Sequence, residues 1–162
     1  MPSNRSSAAF LAQGAVIAAL YVILTIVFAP ISFGAMQIRI AELLTILPLF
    51  TPAAVPGLFI GCILANFLGG AIIWDVVFGS LATLIGAVLG YVLRFNRWLV
   101  PIPPILANTV IVPFVLKYGY GVNMPLLLMA VYVAAGEFIS CYILGEIFAT
   151  VLIRRGIFIK KL

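Results

Sequence analysis

The 162-residue chain has no histidine, only four acidic residues and only two cysteines. Each scarcity excludes something. Without His there is no Ser-His-Asp triad, no HExxH zinc motif and no imidazole ligand. No enzyme, resident metal or cofactor is therefore expected, and no catalytic residue is assigned. Charged residues make up 8% of the chain, where a soluble domain carries about a quarter. Cys62 and Cys141 both lie in apolar runs, where buried free thiols are a better reading than a bridge. No GxxxxGK[ST] occurs, so this chain has no P-loop with which to bind ATP.

What is present is apolar. Hydrophobic residues are 65% of the sequence and the mean hydropathy is +1.32, a balance that suits lipid. A transmembrane helix takes about 20 residues, so six would use about 120 and leave room only for connections. The expectation is an all-α integral membrane protein, a single membrane domain over 1–162 with six transmembrane helices. Charges, prolines and glycines place the spans at about 7–28, 36–50, 53–68, 75–93, 105–117 and 125–153. Leu43–Trp74 is uncharged for 32 residues and is cut by Pro48, Pro52 and Pro56, hence two spans rather than one. The first apolar stretch, Ser7–Ala29, exceeds the roughly 7–15 residues of a signal-peptide core and reads as a retained span.

The net charge is +5, and the basic residues sit at segment ends. Six spans put Arg5, Arg94, Arg97, Arg154, Arg155, Lys160 and Lys161 on one side, which the positive-inside rule makes cytoplasmic. The expected orientation is N-in, C-in, with Lys117 outside and Arg39 near the outer end of span two. This distribution reads as membrane asymmetry, and no nucleic-acid partner is expected.

Small residues recur at helical spacing. Span one carries Ala8, Ala12, Ala15 and Ala19; span three carries Gly57, Gly61, Ala65 and Gly69; span four carries Ala82, Gly86 and Gly90. Such faces allow helices to approach closely in lipid, where no hydrophobic drive joins them.

Charges at membrane depth mark function by default. Glu42 follows Arg39 by one turn, which suggests an ion pair within span two. Asp75 opens span four, as a helix N-cap or a ligand group. Glu137 lies well inside span six with no basic residue near it in sequence. It needs a partner across the bundle, a proton or a wet cavity. Glu146 lies two turns from Arg154, toward the cytoplasm. Asn66 and Asn108 offer donors and acceptors. Trp74, Tyr118 and Tyr120 belong to the outer ends, as belt anchors or as walls of a flat pocket above Glu137. An acid-lined, aromatic-walled pocket suits a planar ligand with donors or positive charge, and not a phosphate.

Several stretches resemble a known family. Pro30-Ile-Ser-Phe-Gly-Ala-Met-Gln-Ile-Arg-Ile-Ala-Glu-Leu-Leu-Thr-Ile-Leu-Pro48 is similar to the signature of the QueT family. So are Ile60–Gly70, Ile73–Thr83 and Pro103–Asn108, and the resemblance covers nearly the whole chain. These are substrate-binding S-components of energy-coupling-factor transporters. The resemblance implies a compact S-component-like bundle of six helices in the bacterial cytoplasmic membrane. It implies uptake of a queuosine precursor such as 7-aminomethyl-7-deazaguanine, queuine or the 7-cyano form. The implied partners are a transmembrane coupling subunit and two ATPases, with the Ala8–Ala12–Ala15–Ala19 face as the docking surface. The implied cycle is ligand capture outside, toppling in the membrane and reset by ATP hydrolysis in the partners.

The chemistry is compatible. A carboxylate accepts both donors of a guanine edge. On predicted depth, Glu137 takes that edge and Asp75 the amine. Asn66 and Asn108 read the remaining edges, and Trp74, Tyr118 or Tyr120 stacks on the ring. The loops Ile31–Met36 and Tyr118–Asn123, with Gly34, Gly119 and Gly121, would close over the ligand. The alternatives are an S-component for another vitamin (thiamin, riboflavin) or a partner-independent carrier or channel using Glu137.

Overall fold

Six apolar segments separated by Pro, Gly and charge form helices and nothing else. A computed structural model describes residues 4–32 and 38–156, and no strand occurs among them. Helix α1 covers Asn4–Val27, and a single turn, α2, covers Ala29–Ser32. A 3₁₀ segment, Ile40–Leu49, is followed by α3 (Ala54–Leu68) and α4 (Ile73–Val92). A short 3₁₀ turn at Arg97–Leu99 leads into α5 (Ile102–Phe114), which ends in a π turn at Val115–Gly119. The last rod is α6 (Leu126–Glu137), a π segment (Phe138–Leu144) and α7 (Gly145–Arg154). Of the expected loop Ile31–Met36, residues 33–36 lie outside the described residues, Gly34 among them; Lys160 and Lys161 do too.

Four stretches are long and apolar enough to cross a membrane: Ser7–Val27, Ile73–Val92, Arg97–Gly119 and Leu126–Arg154. The protein is therefore an all-α, multi-pass membrane protein. The expected count of six full spans meets a difference at two places. Ile40–Leu49 and Ala54–Leu68 are apolar but shorter. At 1.5 Å per residue the 15 residues of α3 reach about 22 Å, less than the ~30 Å hydrocarbon layer. The expected span 36–50 is a ten-residue 3₁₀ coil rather than an α-helix. Pro48 sits inside it and cannot donate a backbone hydrogen bond. Thr45 bonds back to the Glu42 carbonyl at 2.6 Å, which tightens the turn.

The 3₁₀ segment is the most enclosed element. Eight of its ten residues are buried, Glu42 and Thr45 with them. It contacts α1, α3, α4, the π segment and α7, and so forms the axis of the bundle. Leu44, Leu47, Leu58, Tyr21 and Ile17 form the main apolar core around it.

The glycine stripes set the helix spacings. A Cβ on Gly57 would sit 2.7 Å from the Gly14 carbonyl oxygen, and one on Gly61 would sit 3.0 Å from the Ala18 Cα. The Gly57/Gly61 face of α3 thus lies against Gly14 and Ala18 of α1, backbone to backbone. On the far side of α4, a Cβ on Gly86 would meet the Pro104 Cα at 2.6 Å. Gly145 differs: its nearest neighbours lie at an ordinary 3.6 Å.

Gly86→Ala must push α4 from α5, and overpacking of this kind costs about 1–3 kcal/mol. Thermal unfolding in detergent should show a clear drop in Tm for Gly86→Ala and little change or a small rise for Gly145→Ala. Equal effects would contradict the packing described.

Candidate functional site

Seven elements send polar side chains into one buried interior. From α1 comes Tyr21, from the 3₁₀ segment Glu42 and Thr45, from α3 Cys62 and Asn66, from α4 Asp75 and Thr83, and from the π segment Ser140 and Cys141. All of these are essentially inaccessible, as are Glu137 at the end of α6 and Asn108 on α5. Arg39, just before the 3₁₀ segment, is 5% exposed and is the one buried cation among the described residues.

The pairings cross the bundle. The Arg39 guanidinium lies 3.7 Å from Asp75 Oδ2 and its Nη1 points at Cys62 Sγ, 3.8 Å away. Glu42, the partner expected for Arg39 along one helix face, acts on the same guanidinium, and the bridge to Asp75 ties that charge across to α4. The tight coil also presents Glu42 to α1, where the Tyr21 hydroxyl donates to its Oε1. Asp75 is not the N-cap of α4: Ile72 holds that position with no side-chain bond, and Asp75 lies within the first turn, 1% exposed. Its Oδ2 accepts the Tyr120 hydroxyl at 3.1 Å. Asn66 Nδ2 donates to the Asp75 carbonyl at 3.2 Å and faces Cys62 Sγ at 3.6 Å. Thr83 donates to the Gly79 carbonyl and approaches the same sulfur at 3.4 Å.

Glu137 meets two partners. The Cys141 thiol, one turn on, donates to its Oε2 at 3.1 Å. Asn108 sits beside it from α5. A carboxylate oxygen of Glu42, one of Glu137 and the sulfur of Cys141 all lie within 4.8 Å of one another. Two carboxylates this close in a dry interior call for a positive charge or a shared proton between them. Acceptor capacity is left over: Glu42 Oε2, Asn66 Oδ1 and Asp75 Oδ1 are buried with no hydrogen-bond partner among the described residues. Unused acceptors in a packed interior are poised for a donor.

The aromatic candidates divide. Tyr120 joins the cluster through Asp75 and also receives the Ile72 N–H at 3.4 Å. It ties the loop after α5 to the start of α4. Burial, and then the Asp75 carboxylate, raises its hydroxyl above the ordinary tyrosine range, so it remains a donor. Trp74 and Tyr118, 57% and 75% exposed, turn outward. With Phe78, Val110, Phe114 and Val115 they line an apolar groove of about 480 Å³ between α4 and α5. Neither Glu137 nor Asp75 is among its lining residues. These two aromatics therefore do not form the walls of a pocket above Glu137. Of the loop glycines, Gly121 adopts φ +68°, and a Cβ on Gly119 would strike the Ile72 side chain at 2.6 Å. Both serve the turn. Glu146 lies elsewhere, gripped by Arg97, whose Nε reaches Oε2 at 2.5 Å and whose Nη2 reaches the Glu146 carbonyl and Thr150.

Sequence reasoning missed Tyr21, Thr83, Cys62 and Cys141 as parts of the site. Tyr21 gave a faint signal as the one tyrosine in the first apolar span. The cysteines and Thr83 gave none, because only the tertiary fold brings them to the acids. The alanine face of α1 is open: Ala8, Ala12, Ala15 and Ala19 are exposed, while Ile17, Ala18 and Tyr21 face the bundle.

Apolar spans wrapped around a buried, acceptor-rich polar cluster define a multi-pass membrane protein with an internal polar site. A family model described as QueT transporter matches residues 11–154, and the chain belongs to that family of transporters, which are not enzymes. A curated relative, the Queuosine precursor transporter QueT of Lactococcus lactis subsp. cremoris (strain MG1363), is 41% identical over 87 residues, 52% of this chain and 50% of the relative. The aligned part thus spans half of that relative's length. No solved structure matches the chain.

Two substitutions test the wiring. Tyr21→Phe strips Glu42 of a buried donor and should lower stability by about 1–3 kcal/mol. Asp75→Ala takes the carboxylate from beside buried Arg39 and should cost more, about 3–5 kcal/mol. Thermal or denaturant unfolding in detergent reads both. A smaller loss for Asp75→Ala than for Tyr21→Phe would contradict the bridge.

Proposed function

We propose that this chain is the substrate-binding subunit of an ATP-driven importer of the energy-coupling-factor type in the bacterial cytoplasmic membrane, and that it binds a queuosine precursor of the 7-deazaguanine class from the outer face. The observation that carries the reading is the opposed Glu42 and Glu137 carboxylates, with free buried acceptors around them. A 7-deazaguanine carries a ring N–H and an exocyclic amine on one edge, and the 7-aminomethyl form adds an ammonium. Donor excess in the ligand answers acceptor excess in the protein. Glu137 with Asn108 takes the guanine edge, and Glu42 favours positive charge. This moves the amine from Asp75, where Arg39 already supplies the countercharge. The name of the Lactococcus relative points to the same substrate class.

Docking and energy come from partners. The exposed Ala8, Ala12, Ala15 and Ala19 stripe, bordered by exposed Leu11 and Val16, offers a second helix a close approach. Its counterpart is a transmembrane coupling subunit, and two ATPases supply the hydrolysis. The chain is N-in, C-in, with the Tyr120 end outside and the Arg97–Glu146 end in the cytoplasm. The Tyr120–Asp75 bond holds the outer loop over the cluster, and ligand exchange requires it to open.

Purified protein in detergent is titrated with 7-aminomethyl-7-deazaguanine, its 7-cyano analogue, queuine, guanine, thiamin and riboflavin, following tryptophan fluorescence. A deazaguanine should bind most tightly. Glu137→Gln and Glu42→Gln should each weaken it about 10–100-fold, the worth of a hydrogen bond to a charged group. Preference for thiamin or riboflavin would refute the substrate class, and uptake into vesicles without the ATPases would refute the coupled mechanism.

A further inference from the structure

The Glu42–Glu137–Cys141 cluster has a property that a purine site alone does not need. Its third member is a thiol. The sulfur and the two carboxylate oxygens come from the 3₁₀ segment, the end of α6 and the π segment, and all are buried. Zn²⁺ bonds carboxylate oxygen at about 2.0–2.2 Å and thiolate at about 2.3 Å, so tetrahedral ligands stand roughly 3.3–3.8 Å apart. The cluster already lies within 4.8 Å, with Cys141 Sγ and Glu137 Oε2 at 3.1 Å. Small side-chain rotations close the rest. Glu42 Oε2 is fully buried and has no hydrogen-bond partner among the described residues. Thr45 stands beside Cys141, and Asn108 beside Glu137, able to orient the ligands from behind.

Charge argues the same way. Arg39 is the buried cation, against three buried carboxylates at Glu42, Asp75 and Glu137. A divalent ion held at Glu42 and Glu137 would offset that excess of negative charge, leaving about one negative charge once Cys141 binds as thiolate.

We propose that Glu42, Glu137 and Cys141 form a three-ligand site for a thiophilic divalent cation, Zn²⁺ or an ion of similar chemistry, with the fourth position open. Binding forms the metal–sulfur bond as the thiol proton leaves to solvent. This goes beyond the precursor-binding reading. It uses the same two carboxylates, so metal and precursor exclude one another and Zn²⁺ acts as a competitive inhibitor of capture.

The test uses the purified full chain and the metal alone. Calorimetric titration with ZnCl₂ should show a single high-affinity site per chain, weakened more than about tenfold in Cys141→Ser and in Glu42→Gln. Co²⁺ in place of Zn²⁺ should give a thiolate charge-transfer band that is present in the wild type and in Cys62→Ser and absent in Cys141→Ser. The band in Cys62→Ser assigns it to the Cys141 sulfur, and a cooperative thermal transition of Cys141→Ser in detergent shows that this variant is folded. Failure of wild-type protein to bind Zn²⁺ overturns the proposal, as does a band unchanged by Cys141→Ser. Deazaguanine binding by wild-type protein in chelator is measured separately, so loss of the metal site leaves the proposed function standing, and the converse also holds.

Discussion

Arg39 is buried, and the interior is arranged to answer that charge. A buried guanidinium in a bundle of lipid-facing helices is tolerable only with carboxylates and polar atoms around it. Asp75 comes from α4, Cys62 from α3, and Glu42 follows one turn later on the same 3₁₀ coil. Tyr21 from α1 then donates to one oxygen of Glu42, and Tyr120 from the outer loop to one oxygen of Asp75. The chain of partners runs from the first helix to the loop after the fifth. The fold cannot loosen at one of these contacts without leaving a charge exposed to hydrocarbon.

The small residues make this reach possible. Side chains as short as Asp75 and Glu42 meet partners on other helices because α1, α3, α4 and α5 approach to backbone contact at Gly14, Gly57, Gly61 and Gly86. Gly79 shows the link directly: a Cβ there would stand 2.8 Å from Asp75 Oδ1. Spacing and polarity are thus one design, since a bulkier α4 would fill the room into which the carboxylate turns.

Much of the architecture was legible because prolines, glycines and charges punctuate it. α3 begins beside Pro52 and ends at Gly69-Gly70, and α5 begins at Pro103-Pro104. The all-helical membrane class followed from composition alone. The 3₁₀ coil at Ile40–Leu49 was not legible, because a ten-residue apolar run carries no periodicity that separates it from an α-helix. Of the site, the importance of acids at membrane depth could be read. Glu42 and Glu137 could not be paired, because they lie far apart in sequence and meet only after folding. One-turn spacing links Arg39 to its neighbour Glu42, but gives no sign of the second carboxylate, Asp75, that the fold brings to 3.7 Å from α4. Trp74 and Tyr118 share the outer end with Tyr120, yet only Tyr120 turns inward, a difference of helix face rather than of residue type.

The unequal lengths of the helices bear on how the protein sits in its bilayer. The apolar span of α1, Ser7–Val27 with 21 residues, is about 32 Å long, whereas α3, packed against it with 15 residues, is about 22 Å. No flat hydrocarbon slab near 30 Å matches both. The membrane must thin on one flank, or the body must lean, at fractions of a kcal/mol for each ångström of mismatch. Over several ångströms this elastic term rivals a hydrogen bond. A wedge-shaped hydrophobic belt therefore makes bilayer thickness a control variable for tilt, independent of ligand and of any protein partner.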